Sequence, residues 1–397
     1  MAWGDLWAVE MLVAAFAGGA FGAALGALPA FIFTGFMVIA GEAANVIGKT
    51  VAGASDAGAS SELAAVGITG AIAFGPVFSP AISFAGGAAA AAYAAKKGYM
   101  DTDFDFHEAK NIAFAQGTKP DVLAVGGAFG IVGYWLTVAS STLGMPYDPI
   151  AMGVVLSAVI HRIVFGYDII GDTSGGILDM SPFEDGDRRV IGEAATADAD
   201  GDGGREPAAD GGEPSDDSRP SSEPRSDGGT AEGRFVVEPW LPHQYKWANV
   251  ATLGVVVGIL AAFTAYTTGS PFLAFGISAA SLVFLNCGVE QIPVTHHISL
   301  PASTAALALA PAGMSVSTAP TAEVAAAIPL GSALAVGGVF GLVCALAGEL
   351  VQRVFYAHAD THFDPPAAAI VVGTFLVAVL AAVGVFPQTV WVPALGL

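Results

Sequence analysis

The stretch from Ile292 to Thr304 reads I-P-V-T-H-H-I-S-L-P-A-S-T, inside a chain that is otherwise mostly apolar helix. Pro293 and Pro301 bracket two histidines, His296 and His297, and the hydroxyl residues Thr295, Ser299, Ser303 and Thr304. Proline lacks the backbone donor and clashes with the preceding turn, so a regular helix is not expected to run cleanly through both. Irregular backbone at membrane depth persists only where protein buries it or where it lines a wet cavity. Transporters place substrates and ions at such breaks. The first half has a counterpart from Gly75 to Gly87, G-P-V-F-S-P-A-I-S-F-A-G-G. The chain therefore reads as two halves built around two breaks.

Composition agrees with that reading. Of 397 residues, 54% are hydrophobic and only 12% charged, about half the charge expected of a soluble protein. Several apolar runs reach the roughly 20 residues needed to cross a bilayer. The start, Met1 to Glu10, carries Asp5 and Glu10 and no base, unlike a cleaved signal peptide. Cys287 and Cys344 both lie in apolar segments and form no disulfide framework. Nearly half of the net charge of −21 falls between Glu184 and Glu238, a Gly-, Pro-, Ser- and Asp-rich stretch. It reads as a disordered acidic linker. The division is then 1–180 for the first membrane half, 181–240 for the linker and 241–397 for the second half. The remaining acid excess suits a halophilic archaeon, where salt screens self-repulsion. Nothing is basic enough for nucleic acid.

The expected spans of the first half are Ala8–Leu28, Pro29–Ile47, a broken pair within Glu62–Ala95, Val122–Leu143 and Pro149–Phe165. Those of the second are Trp247–Thr267, Pro271–Gly288, a broken segment within Ile292–Ala310, Pro329–Phe355 and Pro366–Val385. The fold class is all-α: a polytopic bundle of two repeated halves, each with about four full spans plus a broken or re-entrant segment. Repetition is visible in the residues. A-V-G-G-A-F-G at Ala124–Gly130 returns as A-V-G-G-V-F-G at Ala335–Gly341. Tyr147-Asp148-Pro149 returns as Phe363-Asp364-Pro365, and Ile82-Ser83 as Ile298-Ser299. Three matches in one order favour duplication.

Lys96, Lys97, Lys110 and Lys119 share one loop. Lys49, Arg162, Arg188 and Arg189 join them on one side if Glu62–Ala95 enters and returns as a hairpin, the arrangement favoured here. That side, with both termini and the linker, is then cytoplasmic in a multi-pass cell-membrane protein. A single crossing would instead give each half an odd number of spans and make the repeats inverted.

Several motifs resemble a known family. G-A-A-L-G-A-L-P at Gly22–Pro29 resembles the Gly-rich, Leu-Pro entry of the large membrane subunit of tripartite tricarboxylate transporters. Ile298 to Thr304 resembles that family's second-half segment, and Thr69 to Gly98, ending A-A-K-K-G, is similar to its first-half region. The family's usual Pro-Gly is Pro29-Ala30 here, the chain is shorter, and an acidic linker parts the halves. The resemblance implies a secondary carrier for organic anions, assisted by a small accessory membrane subunit and an external binding protein.

From the residues themselves, the expected function is a secondary transporter (permease) for a small anion; the resemblance implies an organic anion such as a carboxylate. Its site would lie between the breaks, where helix N-termini carry partial positive charge. Pro76, Ser79, Pro80, Ser83, Pro293, Thr295, His296, His297, Ser299, Pro301, Ser303 and Thr304 are the substrate-binding candidates. Glu290 and Glu42 are candidates for proton or ion coupling, because intramembrane carboxylates need a reason to be there. For Glu290 and the histidines, simple solvation at the membrane interface competes with that role. Glu349 and Arg353, four apart, suggest an intrahelical pair. His161-Arg162 suggests a helix end among headgroups. H-A-D-T-H-F-D from His358 to Asp364 reads as a solvated acidic loop and not as a metal site. No Walker loop, zinc-protease helix or nucleophile elbow is present, so no enzyme, metal or cofactor is expected. The alternative function is a non-transporting membrane scaffold.

Overall fold

The computed structural model describes residues 2–54, 67–189 and 233–396. Glu62 and the body of the expected linker, 190–232, lie outside the described residues. Among the described residues, ten helices of twelve or more residues fall five to each half. They are α1 (Val9–Leu25), α2 (Ala27–Ala54), α3 (Ser83–Lys96), α4 (Pro120–Thr142) and α5 (Pro149–Phe165), then α6 (Trp247–Thr268), α7 (Leu273–Asn286), α8 (His296–Leu307), α9 (Leu330–Val351) and α10 (Pro365–Ala382). Five are long and apolar enough to cross a membrane: Ala27–Thr50, Pro120–Thr142, Trp247–Thr268, Leu330–Tyr356 and Pro365–Ala382. Their outer faces stay apolar. Phe33 and Phe36 on α2 and Val256, Leu260 and Phe263 on α6 are all exposed. Such continuous apolar faces suit lipid and not water.

Contacts between helices set the chain's direction. Gly26, with φ of 94°, reverses the chain between α1 and α2. That end also holds residues 98–119, because Leu28 donates to the Ile112 carbonyl (3.0 Å) and Gln116 N–H to that of Ala23 (3.2 Å). At the opposite end Lys49 Nζ donates to the carbonyls of Gly269 (2.9 Å) and Val316 (3.0 Å). The C-terminal ends of α2 and α6 therefore share one end of the bundle, and α1 runs opposite to α6. Thr69, in the π-helical turn Ile68–Ala73, donates to Glu42 near the Lys49 end. α3 finishes at the other end, where Lys96 reaches the Gly166 carbonyl. The segment thus passes once and does not return as a hairpin. The hairpin expectation also fails for the ends of the chain. The N-terminal turn (Trp3–Trp7), held by Tyr134 and Trp135, lies at the Lys49 end, as does Gln388, which donates to Ala310 and Met314. The two flanks of the linker, β1 (Arg188–Arg189) and β2 (Arg234–Phe235), pair antiparallel at the opposite end. The N-terminal turn and Gln388 thus lie at one end of the bundle and the linker flanks at the other.

Packing is alike in the two halves. α1 packs on α3 and α4, and α6 packs on α8 and α9. α2 meets α7, and α5 meets α10, across the join. Glycines allow the approaches. A Cβ on Gly19 would stand 2.1 Å from the Gly126 carbonyl, and one on Gly258 2.2 Å from that of Gly337. Gly126 and Gly337 are matching members of the repeated A-V-G-G motif. One apolar cluster runs through both halves, with Phe31, Phe84 and Val154 beside Phe275, Leu300 and Ile370.

α3 and α8 are short, about 21 and 18 Å at 1.5 Å per residue, and almost wholly buried. Before α3 the backbone turns through Phe74–Ile82, pressed onto Gly18 and Gly133, and Ser83 at the start of α3 packs on Gly22. Before α8, Ile292–Thr295 is irregular. Pro301 does not break α8; it sits inside the helix with its ring against Gly373 of α10, whose missing side chain leaves the room. The linker flanks also carry more structure than composition suggests. Phe183 and Val236 pack against Met180, Val237, Tyr245 and Ala357, and Glu238 is buried.

Candidate functional site: a cavity between the halves

A cavity of about 910 Å³ lies between the halves, and both expected breaks reach it. The first contributes Pro80 and Phe84; the second contributes Val294, His296 and Leu300. α2 adds Phe31, α5 adds Asp148 and Val154, α7 adds Phe275 and Leu282, and α10 adds Asp364 and Ile370. Towards the linker end it is bordered by Asp103, Phe104 and Asp105, all exposed, and by Phe183, Phe235 and Trp240. Towards the other end it reaches Ser141, Phe272 and Trp391.

Its wall is chiefly aromatic. Phe31 stands 5.9 Å from Phe84, 6.0 Å from Phe275 and 4.7 Å from the His296 ring. The series continues through Phe74 and Phe272 to Trp391, with centroids 5.3–5.9 Å apart. Edge-on and tilted contacts of this kind let rings pack without facing their negative faces together.

Few charges interrupt it. Asp148 and Asp364 are N-caps, each followed by proline at the first helical position, where the missing N–H costs nothing. Asp148 Oδ1 accepts from Ile150 N (2.8 Å) and Ala151 N (3.3 Å), and its own N–H donates to Thr374 Oγ1 of α10 (2.9 Å). Asp364 Oδ2 accepts from Ala367 N (2.8 Å), while Oδ1 lies 3.5 Å from His362 Nε2. Lys110 also borders the cavity but is taken up by Glu238 at 2.5 Å. Burial, opposed by Glu238, lowers the Lys110 ammonium to about 8. The uncommitted charge on the wall is acidic.

Of the residues singled out from sequence, Pro80 and His296 line this cavity. His297 is buried behind them, 6.1 Å from Trp240 and close to Gly348. The hydroxyls are mostly used within the protein. Thr295 donates to Ser278, Ser299 to the His296 carbonyl, Ser303 to that of Ala261 and Thr304 to that of Leu300. Ser83 turns back to the carbonyls of Phe78 and Ser79. Ser79 is buried with its own Oγ unpaired. Pro76 and Pro293 are half-buried in the turns ahead of the short helices. Glu42 is buried away from the cavity, accepting from Asn45, Thr69 and Ser270, so it pins α2 to the turns before α3 and α7. Glu290 is exposed beyond α7.

Other sequence expectations shift. Glu349 accepts from Arg353 Nε at 2.6 Å, the intrahelical pair expected from the spacing. His161 and Arg162 are fully buried and not at a headgroup surface, because Arg162 donates to both the side chain and the carbonyl of Thr361. The segment His358–Asp364 is correspondingly no solvated loop: His358, Thr361 and His362 are buried. Among the described residues no group of three or more His, Cys, Asp or Glu gathers to hold a metal. The aromatic wall and the paired caps were missed from sequence. The repeated Asp-Pro was the available signal, noted as a mark of duplication and not as a site.

No curated protein and no solved structure matches the chain. Its membership is nonetheless plain: residues 1–395 match one family profile, and the chain belongs to that family, described as a family of unknown function (DUF7973).

Proposed function

We propose that this protein is a secondary membrane carrier built as an inverted repeat, with its pathway in the cavity between the halves. The observation that carries this reading is one large cavity walled by corresponding elements of both halves: the turns before α3 and α8, and the capped starts of α5 and α10. Opposite chain directions in the halves and the matched glycine contacts support duplication with inversion. Carriers of that architecture place their sites at the repeat interface, beside discontinuous helices. A scaffold has no use for such a cavity.

The wall also bears on the solute. Aromatic faces and free carboxylate oxygens favour an amphipathic organic cation. The carboxylate anion expected from the family resemblance would meet Asp148 and Asp364, with Lys110 already committed to Glu238. The helix N-termini of α5 and α10 are likewise occupied by their own caps. Every described Lys and Arg except Lys49 lies at the linker end, which supports a cytoplasmic linker end with both termini outside.

The test uses the full chain in proteoliposomes with cysteines at Ser141 and Asp105, labelled by an impermeant maleimide. Ethidium, an aromatic cation, is expected to cross in a protein-dependent way and to protect both positions. If citrate protects and ethidium does not, the carrier reading stands and the charge assignment falls. If neither crosses nor protects, the scaffold reading takes its place.

A further inference from the structure

Beside the main cavity lies a second void of about 10 Å³. Its polar borders are Ser157 and His161 of α5 and His362 and Asp364 at the start of α10; α3 closes it with apolar side chains. His362 and Asp364 border the main cavity as well. A space of this size holds one water, provided two to four polar partners meet it.

Those partners are present. Ser157 Oγ and the Nδ1 atoms of His161 and His362 are buried and unpaired within the protein. Ser157, His161 and His362 are each at most 2% exposed. Buried polar atoms without partners are costly, and three of them on residues that line one void point to a shared ligand. The neighbouring bonds favour one tautomer. Thr361 Oγ1 accepts from Arg162 Nε at 2.8 Å and has its own hydrogen to give to His161 Nε2 at 3.0 Å. With Nε2 accepting, the His161 proton sits on Nδ1, ready to donate. On the other side, His362 Nε2 faces Asp364 Oδ1, which leaves His362 Nδ1 to accept.

We propose that Ser157, His161, His362 and Asp364 bind a single internal water that joins His161 to the His362–Asp364 pair, and that this assembly is the proton-binding site coupled to transport. The coupling rests on the carrier reading; the water site does not. The His362–Asp364 pair is the end of the assembly that meets the main cavity, and Asp364 is its acidic member. A proton taken up there by Oδ1 turns an acceptor into a donor and cancels the charge that His362 and the start of α10 face. The surrounding charged and titratable groups are few. α5 presents Arg162 beside His161. The turn before α10 presents Tyr356, edge-on to His362 at 5.4 Å, together with His358 and Asp360. Lys110, paired with Glu238, lies over the Tyr356 ring, and Arg234 holds Asp360. α3 presents Phe84, Ala85 and Ala88, none of which titrates.

The test has two arms on the full-length protein. In nanodiscs, nitrogen-15 histidine spectra are expected to show His161 as the Nδ1–H tautomer with a cross-peak to water. Ser157→Val, which fills the void, should remove that cross-peak. An Nε2–H tautomer, or no water contact in the wild type, overturns the site. In proteoliposomes the ratio of pH-gradient-driven ethidium uptake to gradient-free ethidium exchange is measured. Ser157→Val should lower this ratio about tenfold, and Ser157→Ala, which keeps the void, by much less. An unchanged ratio in Ser157→Val overturns the coupling. If the wild type moves no ethidium at all, the carrier reading and the coupling both fall, and the spectra alone decide the water.

Discussion

Removal of Glu238 should cost far more than removal of its partner. The Lys110 side chain is fully buried and Glu238 almost so, with Nζ and Oε2 2.5 Å apart. Glu238 also accepts from His107 N (3.1 Å) and Arg234 Nη1 (3.2 Å). In Glu238→Ala, Arg234 keeps Asp360, but Lys110 keeps only the face of Tyr356, 4.7 Å away. An orphaned buried cation of this kind costs about 3–5 kcal/mol. In Lys110→Met the carboxylate retains Arg234 and the His107 N–H, and the Met side chain refills the space of the Lys stem. That loss should stay below about 1.5 kcal/mol, the net worth of an ordinary hydrogen bond. The double variant removes the orphan and should recover most of the Glu238→Ala loss. Cys344 is buried and Cys287 exposed. In a Cys287→Ser background, a thiol-reactive dye that reports Cys344 on heating therefore reads unfolding directly. Glu238→Ala should lower Tm by on the order of 5–15 °C. The reasoning is refuted if Lys110→Met is the worse variant, or if the two losses add to within about 0.5 kcal/mol.

The same lysine sets a pH dependence. Its folded value of about 8 lies below the usual 10.5, so between those values the unfolded chain binds more protons, and stability rises with pH. Subtracting the Lys110→Met melting profile from that of the wild type should leave this rise; a flat or falling difference contradicts the burial argument. Cysteines at Asp5 and Asp185, in a background without Cys287, should label from opposite faces of the membrane, and labelling from one face would sink the inverted arrangement. Deletion of 190–232 with a short Gly join between β1 and β2 should leave Tm within about 2 °C, since that stretch has too few apolar residues to bury; loss of folded protein would show that it packs. Gly19→Ala and Gly258→Ala should each cost roughly 1–3 kcal/mol or more by the same melting assay, because the added carbon meets a carbonyl of the partner helix. Gly4→Ala, with nothing nearby, serves as the neutral control.

The class of fold was legible in the chain because apolar length is a local property. Spans expected at Val122–Leu143, Pro149–Phe165 and Trp247–Thr267 match α4, α5 and α6 to within a few residues. The punctuation at Gly75–Gly87 and Ile292–Thr304 marked the two short buried helices, since proline and glycine act on the backbone where they stand. What proline did there was not legible. Pro301 stays within α8 because α10 offers Gly373 to its ring, a fact about a residue 72 positions away. The hydroxyls of α8 looked like ligands because their partners, Ser278, the Ala261 carbonyl and Trp391, are distant in sequence. His161, Arg162 and His362 looked superficial for the same reason: a charged residue near the end of an apolar run is ordinarily solvated. Here the join of α5 with α10 buries all three. The direction of each half turned on a single question, whether residues 68–96 pass once or return, and no local preference answers it. Hydropathy and turn residues record what each segment tolerates. Which segments meet, and so which polar atoms remain for a solute, a water or a proton, is decided only when both halves close on one cavity.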